Sequence, residues 1–266
     1  MVRRLSISLA VVLVLCGVSA ADDWNKTYQV GASPNLVITT SDGNIRVDTW
    51  DQGRIEVRVT TAGYKIGPSD VRITESQNGD RVSLDVHIPD IHFGIGGWHN
   101  RKVDIDVRMP KQGALDFHTS DGAIKLANFK GDMRLKSGDG SQQVDNVDGT
   151  LQATAGDGSI HVSGRFDSLD LHTGDGSIEA RASNGSKIGS SWNMHSGDGS
   201  IHLDLPPDFA ADVEARSGDG RISFDMPITV NGSMSRNNVH GKLNGGGGVL
   251  HLRSGDGSIY VRRAMV

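Results

Sequence analysis

A turn signature, a small residue followed by Gly or Ser and then Asp-Gly, returns eight times along this chain. Its aspartates are Asp42, Asp121, Asp139, Asp157, Asp175, Asp198, Asp219 and Asp256. From Asp121 onward the steps are 18, 18, 18, 23, 21 and 37 residues, and the first step, from Asp42, is 79. Self-similarity of this kind marks a stacked-repeat architecture, in which each unit needs a neighbour to bury its apolar face. Around each Asp the apolar residues keep fixed places. Leu115 and Phe117, Leu151 and Ala153, and Leu169 and Leu171 stand six and four positions before it. Ile124 and Leu126, Ile160 and Val162, and Ile178 and Ala180 stand three and five positions after it. A spacing of two is strand periodicity. The parity changes across the Asp-Gly, so the chain turns there.

The residue types explain the turn. Gly supplies positive φ, and Asp can bond its own nearby backbone, so each Asp is expected to cap its own turn. The Thr, Ser or Ala two positions before it fits a tight inward corner. Phe129, Val147 and Phe166 follow a second turn in three repeats and are placed to plug the opposite corner. Each 18-residue unit buries four or five apolar side chains, worth about 1.5–3 kcal/mol each. Ordering the unit costs about 1.5 kcal/mol per residue. One coil alone therefore loses, and the stack must stabilise itself by shared burial and inter-coil hydrogen bonds. The fold class is all-β, a single-stranded parallel β-helix (β-solenoid) with coils of about 18 residues and inward ladders of Ile, Val and Leu.

The termini and irregular stretches set the organisation. Arg3 and Arg4, the apolar run Leu5 to Val14 and the small residues Val18-Ser19-Ala20 read as a secretory signal peptide over 1–20, cut after Ala20 or Ala21. The run is short for a membrane anchor. Cys16 is the chain's one cysteine and falls inside the leader, so the mature protein has no disulfide or thiol chemistry. Leu13-Val14-Leu15-Cys16 is a poor lipoprotein site, because Leu15 stands where a small residue belongs, so a lipid anchor is not expected. Residues 21–266 form a single domain: wider N-terminal coils over 21–110, regular repeats over 111–230, and a Gly-rich excursion with a final coil over 231–266. Losing the leader takes the formal charge from −5 to −7, which speaks against nucleic acid as a partner. Asp208 to Ala215 looks locally helical, but the columns place Val213 and Ala215 in a strand.

The alternation of strands with Ser/Thr-Gly-Asp-Gly-Ser-Ile turns resembles the bacterial DUF4097 adhesin family, related to DUF2807. The resemblance rests on Met109-Pro110-Lys111 leading to Leu115-Asp116-Phe117-His118-Thr119-Ser120-Asp121-Gly122. It rests also on Gly241-Lys242-Leu243-Asn244-Gly245-Gly246-Gly247-Gly248 and on Leu252-Arg253-Ser254-Gly255-Asp256-Gly257-Ser258-Ile259. It covers the chain from about residue 30 onward. It implies a right-handed β-helix in the bacterial cell envelope and brings no catalytic residues with it.

Four groups of residues invite a functional reading. Stacked coils bring Asp139, Asp157 and Asp175 about 5 Å apart, where calcium could bridge them. Calcium wants six to eight oxygens, however, and the β-roll nonapeptide is missing. Three positions before the Asp stand Thr39, His118, Lys136, Thr154, His172, His195, Arg216 and Arg253. Their parity points outward, as a solvated mixed-charge face or a surface for an anionic polymer. His87, His92 and His99 lie near Asp85 and Asp90 in a Gly-rich loop, which does not fix ligand directions well enough for a metal. Gly245 to Gly248 lack the Lys-Ser/Thr of a phosphate loop. Charged residues follow the repeat rather than forming a non-repeating catalytic set, so no catalytic, cofactor-binding or metal residue is assigned and no enzyme is expected. The sequence points to an extracytoplasmic, non-catalytic adhesin or envelope scaffold. Its expected partners are envelope polysaccharide or another envelope protein, with self-association through the solenoid ends around Ile259 to Val261. No transmembrane segment is expected after cleavage. The alternatives are a calcium-stabilised repeat protein and a polysaccharide-active β-helix enzyme.

Overall fold

The computed structural model describes residues 21–88, 101–189, 191–230 and 235–264. Residues 1–20, with Cys16, and the segment carrying Asp90, His92 and His99 lie outside the described residues. The described chain is all-β, with 21 strands in one sheet system and no helix among them.

Two rows of parallel strands meet at the Asp-Gly turns. The row before the turns contains, in chain order, β2 (Asn35–Thr40), β6 (Arg81–His87), β8 (Gln112–Thr119), β10 (Lys130–Lys136), the second part of β11 (Gln142–Thr154), the second part of β12 (Ile160–Thr173), β14 (Ser191–Ser196), β16 (Ala211–Ser217) and β20 (Val249–Ser254). The row after the turns contains β3 (Asn44–Trp50), β7 (Lys102–Pro110), β9 (Ile124–Ala127), the first parts of β11 and β12, β13 (Ile178–Ala182), β15 (Ile201–Leu205), β17 (Ile222–Asp225) and β21 (Ile259–Arg263). The register follows the repeat. Leu115 lies opposite Met133, Met133 opposite Leu151, Leu151 opposite Leu169 and Leu169 opposite Trp192. The inward columns are fully buried, Ile124, Ile160, Ile178, Ile201 and Ile259 among them. Phe129, Val147 and Phe166 are buried at the second corner, as their position after the second turn predicts. Val213 and Ala215 are buried in β16, so the strand register prevails over the local helical look.

Spatial order departs from chain order at both ends. β2 pairs with β6 on one side and β8 on the other, and β3 lies between β7 and β9. β20 lies between β14 and β16, and β21 between β15 and β17. The last coil is therefore internal, which corrects the expectation that Ile259 to Val261 form an open end. The N-terminal segment, expected as wider coils, also contains antiparallel strands. β4 (Arg54–Ala62) pairs with β7, and β1 (Ala21–Gln29) pairs with β4. β5 (Arg72–Asn78) pairs with β6. At the other end β19 (Asn238–Leu243) pairs antiparallel with β16, and β18 (Ile228–Val230) pairs with β19. The long steps of the signature, 79 and 37 residues, contain β4 with β5 and β18 with β19, whereas β1 precedes the first signature. The Tyr28 hydroxyl of β1 bonds the Glu75 carboxylate of β5, and Lys26 lies 2.9 Å from the same carboxylate. Burial, followed by the bond and charge of Glu75, raises the Tyr28 pKa. This contact ties the two outermost strands of the N-terminal end together.

The glycine of Asp-Gly has a different reason from the one expected. Its φ is not positive in any of the eight turns. Space is what demands it: a Cβ on Gly140 would stand 2.0 Å from the Gly122 carbonyl oxygen. The backbones of successive turns touch, and only hydrogen fits between them. Positive φ belongs to the second corner, where Asn128 and Asn146 adopt left-handed conformations (φ 57° and 52°) and the Asn146 amide bonds the Asn128 side-chain oxygen at 2.7 Å.

Gln142 is the one polar residue in the isoleucine column, and it is fully buried. Its amide donates to Thr154 O at 2.7 Å and Ser137 Oγ at 2.9 Å, beside Ala155, the one corner residue of the eight without a hydroxyl.

Two comparisons test this packing by thermal melting. Ile160→Asp puts a carboxylate into the buried ladder and is expected to cost about 4 kcal/mol or more. Glu179→Lys, on the solvent face, should stay within about 0.5 kcal/mol. Equal melting temperatures would sink the register. Gly140→Ala must displace backbone and should cost about 1–3 kcal/mol, whereas Gly67→Ala, with nothing within 4 Å of its added Cβ, should be neutral.

Candidate functional site

The turns leave straight outward rows, and the first is the aspartate row. Backbone amides set its order. Asp121 N donates to Ser41 O, Asp139 N to Ser120 O, Asp157 N to Gly138 O, Asp175 N to Gly156 O and Asp198 N to Gly174 O. Asp256 N then donates to Gly197 O and Asp219 N to Gly255 O. All eight aspartates are exposed. Among the described residues, the carboxylates of Asp121, Asp139, Asp157, Asp175, Asp198, Asp219 and Asp256 bond nothing in their own turns. This corrects the expectation that each Asp caps its turn. The buried hydroxyl two positions earlier bonds the turns instead. Thr119 Oγ1 donates to Gly43 O (3.1 Å), Thr173 Oγ1 to Gly158 O (2.8 Å), and Ser196 Oγ to Gly176 O (2.9 Å). In each case the acceptor belongs to the neighbouring turn, so the hydroxyl stitches coil to coil. Among the described residues no group of three His, Cys, Asp or Glu side chains converges as a metal site would require. His87 and Asp85 are both exposed on β6.

The second row lies three positions before the aspartates and faces outward, as its parity predicts. Its spatial order is Thr39, His118, Lys136, Thr154, His172, His195, Arg253 and Arg216. Insertion of β20 places Arg253 beside His195 and opens a shallow recess of about 490 Å3 lined by Asp170, His172, Asn193, His195, His251 and Arg253. His172 Nε2 lies 2.7 Å from Asp170 Oδ1, and His251 Nδ1 lies 3.2 Å from Glu214 Oε2. His195 faces the His172 ring at 6.0 Å between centroids. Burial, then His172 and then Arg253 lower the His195 pKa, so positive charge collects around this ring.

Several other outward groups are paired. A recess of about 560 Å3 near the N-terminal end carries Lys26, Arg46, Asp48, Glu56, Arg58, Asp106 and Arg108. Arg58 there binds Asp23 at 2.7 Å and Glu56 binds Arg54 at 2.8 Å, and cationic and anionic side chains are mixed along the lining. Arg165 clamps Asp148 and Asp167 at the second corner, and the Arg165 hydrogen bond holds the Asp167 carboxyl below its usual range. On the opposite face His202 stacks on Tyr260 at 4.8 Å, and Asp204 sits between Arg181 (3.5 Å) and Arg262 (3.2 Å). The sequence columns singled out His195 and Arg253 as outward, and not His251, His202 or Tyr260. The neighbours His195–Arg253 and His202–Tyr260 were missed because they depend on the inserted coil.

The aspartate row yields a test. If its carboxylates only repel one another, Asp157→Asn should raise the melting temperature at low salt, with the gain fading near 1 M salt as screening removes the repulsion. A lower melting temperature for Asp157→Asn would restore a turn-capping or cation-binding role.

No curated protein matches the chain in sequence. Among solved structures, a "putative cell adhesion protein" from Clostridium sporogenes shares 13% identity, with 91% of this chain and 100% of that one covered and a TM-score of 0.46. A "putative adhesin" from Bacteroides fragilis shares 13% identity over 91% and 97%, with a TM-score of 0.33. A "putative lipid binding protein" from Parabacteroides distasonis shares 12% over 90% and 96%, with a TM-score of 0.43. The family model described as Toastrack DUF4097 matches residues 33–262, nearly all of the stacked strands and all of the end strands except β1, and the chain belongs to that family.

Proposed function

We propose that the protein is an exported, non-catalytic β-solenoid that serves as a binding scaffold in the bacterial cell envelope. In this reading the stack is right-handed, its regular coils hold about 18 residues, and residues 1–20 direct export. The observation that carries it is how the repeat divides its residues. The apolar columns fill the interior, and the hydroxyls and glycines join the turns. Only the outward rows are left to meet a partner. Those rows are long, straight and polar, which suits an extended hydrophilic polymer better than a small substrate enclosed in a pocket. Envelope polysaccharide is the partner class that fits.

The test combines purified mature protein with peptidoglycan and envelope polysaccharide from the producing cell. Binding and soluble sugar release are assayed together, with and without EDTA. Retention without release is the expected outcome. Release of fragments would overturn the non-catalytic reading in favour of a polysaccharide-active enzyme. Retention that EDTA abolishes would make the stacked aspartates a cation site.

A further inference from the structure

We infer that the recess around His172, His195, His251 and Arg253 is an acid-strengthened binding site for a linear anionic polysaccharide of the polyuronate class. The inference rests on the binding-scaffold reading and names its ligand chemistry and its switch.

Charge is the first argument. The charged and polar groups at the recess come from three strands, Asp170 and His172 on β12, Asn193 and His195 on β14, and His251 and Arg253 on β20, with Glu214 and Arg216 on β16 and His240, opposite Glu214, on β19 next to them. With the imidazoles neutral, Asp170 and Glu214 balance Arg253 and Arg216. As the imidazoles take up protons the face becomes net positive, within the range where histidine changes charge. His172 and His251 each have a carboxylate at hand, whereas His195 lies between His172 and Arg253. The centre of the recess is thus where an added anion gains most. Burial first, and then His172 and Arg253, lower the His195 pKa.

Shape and chemistry select the ligand. The basic row continues through Thr154 to Lys136 and His118 at the inter-strand step, so from His118 to Arg216 it runs about 29 Å at roughly 4.8 Å per strand. A linear ligand with one charge per sugar suits so sparse a row. A nucleic acid places a charge every 1.7 Å or so along a duplex, far denser than the cations of this row. Asp170, Asn193 and Thr154 offer acceptors to sugar hydroxyls, which a phosphate-dense polymer supplies less well. Every lining side chain except Met194 carries a polar group, and Met194 itself is buried, so the recess has no wholly apolar side chain exposed to insert into a lipid surface.

The experiment measures binding of the mature protein to polygalacturonate at about pH 5.5 and about pH 8. Dextran and phosphatidylglycerol vesicles serve as the neutral-polymer and lipid arms. Binding should be about ten-fold tighter at the lower pH, with dextran and vesicles left unbound. His195→Gln and Arg253→Gln should weaken binding and flatten its pH dependence, while Lys125→Gln on the other row leaves both unchanged. Melting curves check that every variant is folded. Polygalacturonate should also raise the His195 titration midpoint observed by NMR. Binding indifferent to pH, equal binding by His195→Gln, preference for the vesicles, or a requirement for added zinc would each overturn the inference. Retention on native envelope polysaccharide in any of those cases would leave the scaffold reading intact.

Discussion

At the Asp-Gly corner one backbone lies directly on the next. The Gly122 carbonyl occupies the space a side chain at Gly140 would need, and the same holds for Gly158 over Gly140 and Gly176 over Gly158. A contact that close tolerates no slip along the stack, so every coil must turn at the same height in the repeat. Strand register is weakly specified when a sheet is flat and uniform, and here the corner removes that freedom. The buried Thr and Ser hydroxyls add a hydrogen bond across the same junction, satisfying carbonyls that would otherwise be sealed from water. Apolar columns and outward rows come out straight because the corner fixes where each strand begins.

Open sheet edges are the weakness of such a stack. This chain places neither of its signature-bearing end coils outermost. The coil of β2 and β3 lies under that of β6 and β7, and the coil of β20 and β21 under that of β16 and β17. Strands of less regular sequence take the outer positions, except in the row of β17, which pairs only with β21 among the described residues. At the N-terminal end the antiparallel strands β1, β4 and β5 are locked together by Tyr28 and Glu75. At the C-terminal end β18 and β19 cover one row of strands. An antiparallel strand can be reached by a short turn, whereas another parallel coil needs a full circuit of chain.

Local spacing in the sequence carried most of the core. The positions of Ile124, Ile160 and Ile178, the burial of Trp192 and the strand character of Val213 and Ala215 all come from counting residues from each Asp. What counting could not reach is the order in which coils stack. Every copy of the signature has the same chemistry, so nothing in it says that Asp256 lies between Asp198 and Asp219. The reason for glycine was likewise hidden. Positive φ and close backbone approach select the same residue, and only the neighbour's position separates them. The aspartate's own role was misjudged for a related reason. Asp-Gly is a local turn pattern, but the bonds that hold these turns are made between coils.

Spatial order and chain order part at the recess lined by His195 and Arg253, and the surface chemistry changes with them. In a strictly sequential stack His195 would face Arg216 across one strand spacing. The inserted β20 instead supplies both Arg253 and His251, and pushes Arg216 and Glu214 one place further out. His251 then takes Glu214 as its partner, while the space next to His195 is left without a carboxylate. A repeat that is mechanically uniform becomes chemically uneven at this one place. Since the interior is occupied by columns that the fold requires, outward positions can vary with little effect on stability. A seam of this kind, where distant parts of the sequence are held in fixed register at the surface, is where a repeat scaffold can acquire a binding site without disturbing what holds it together.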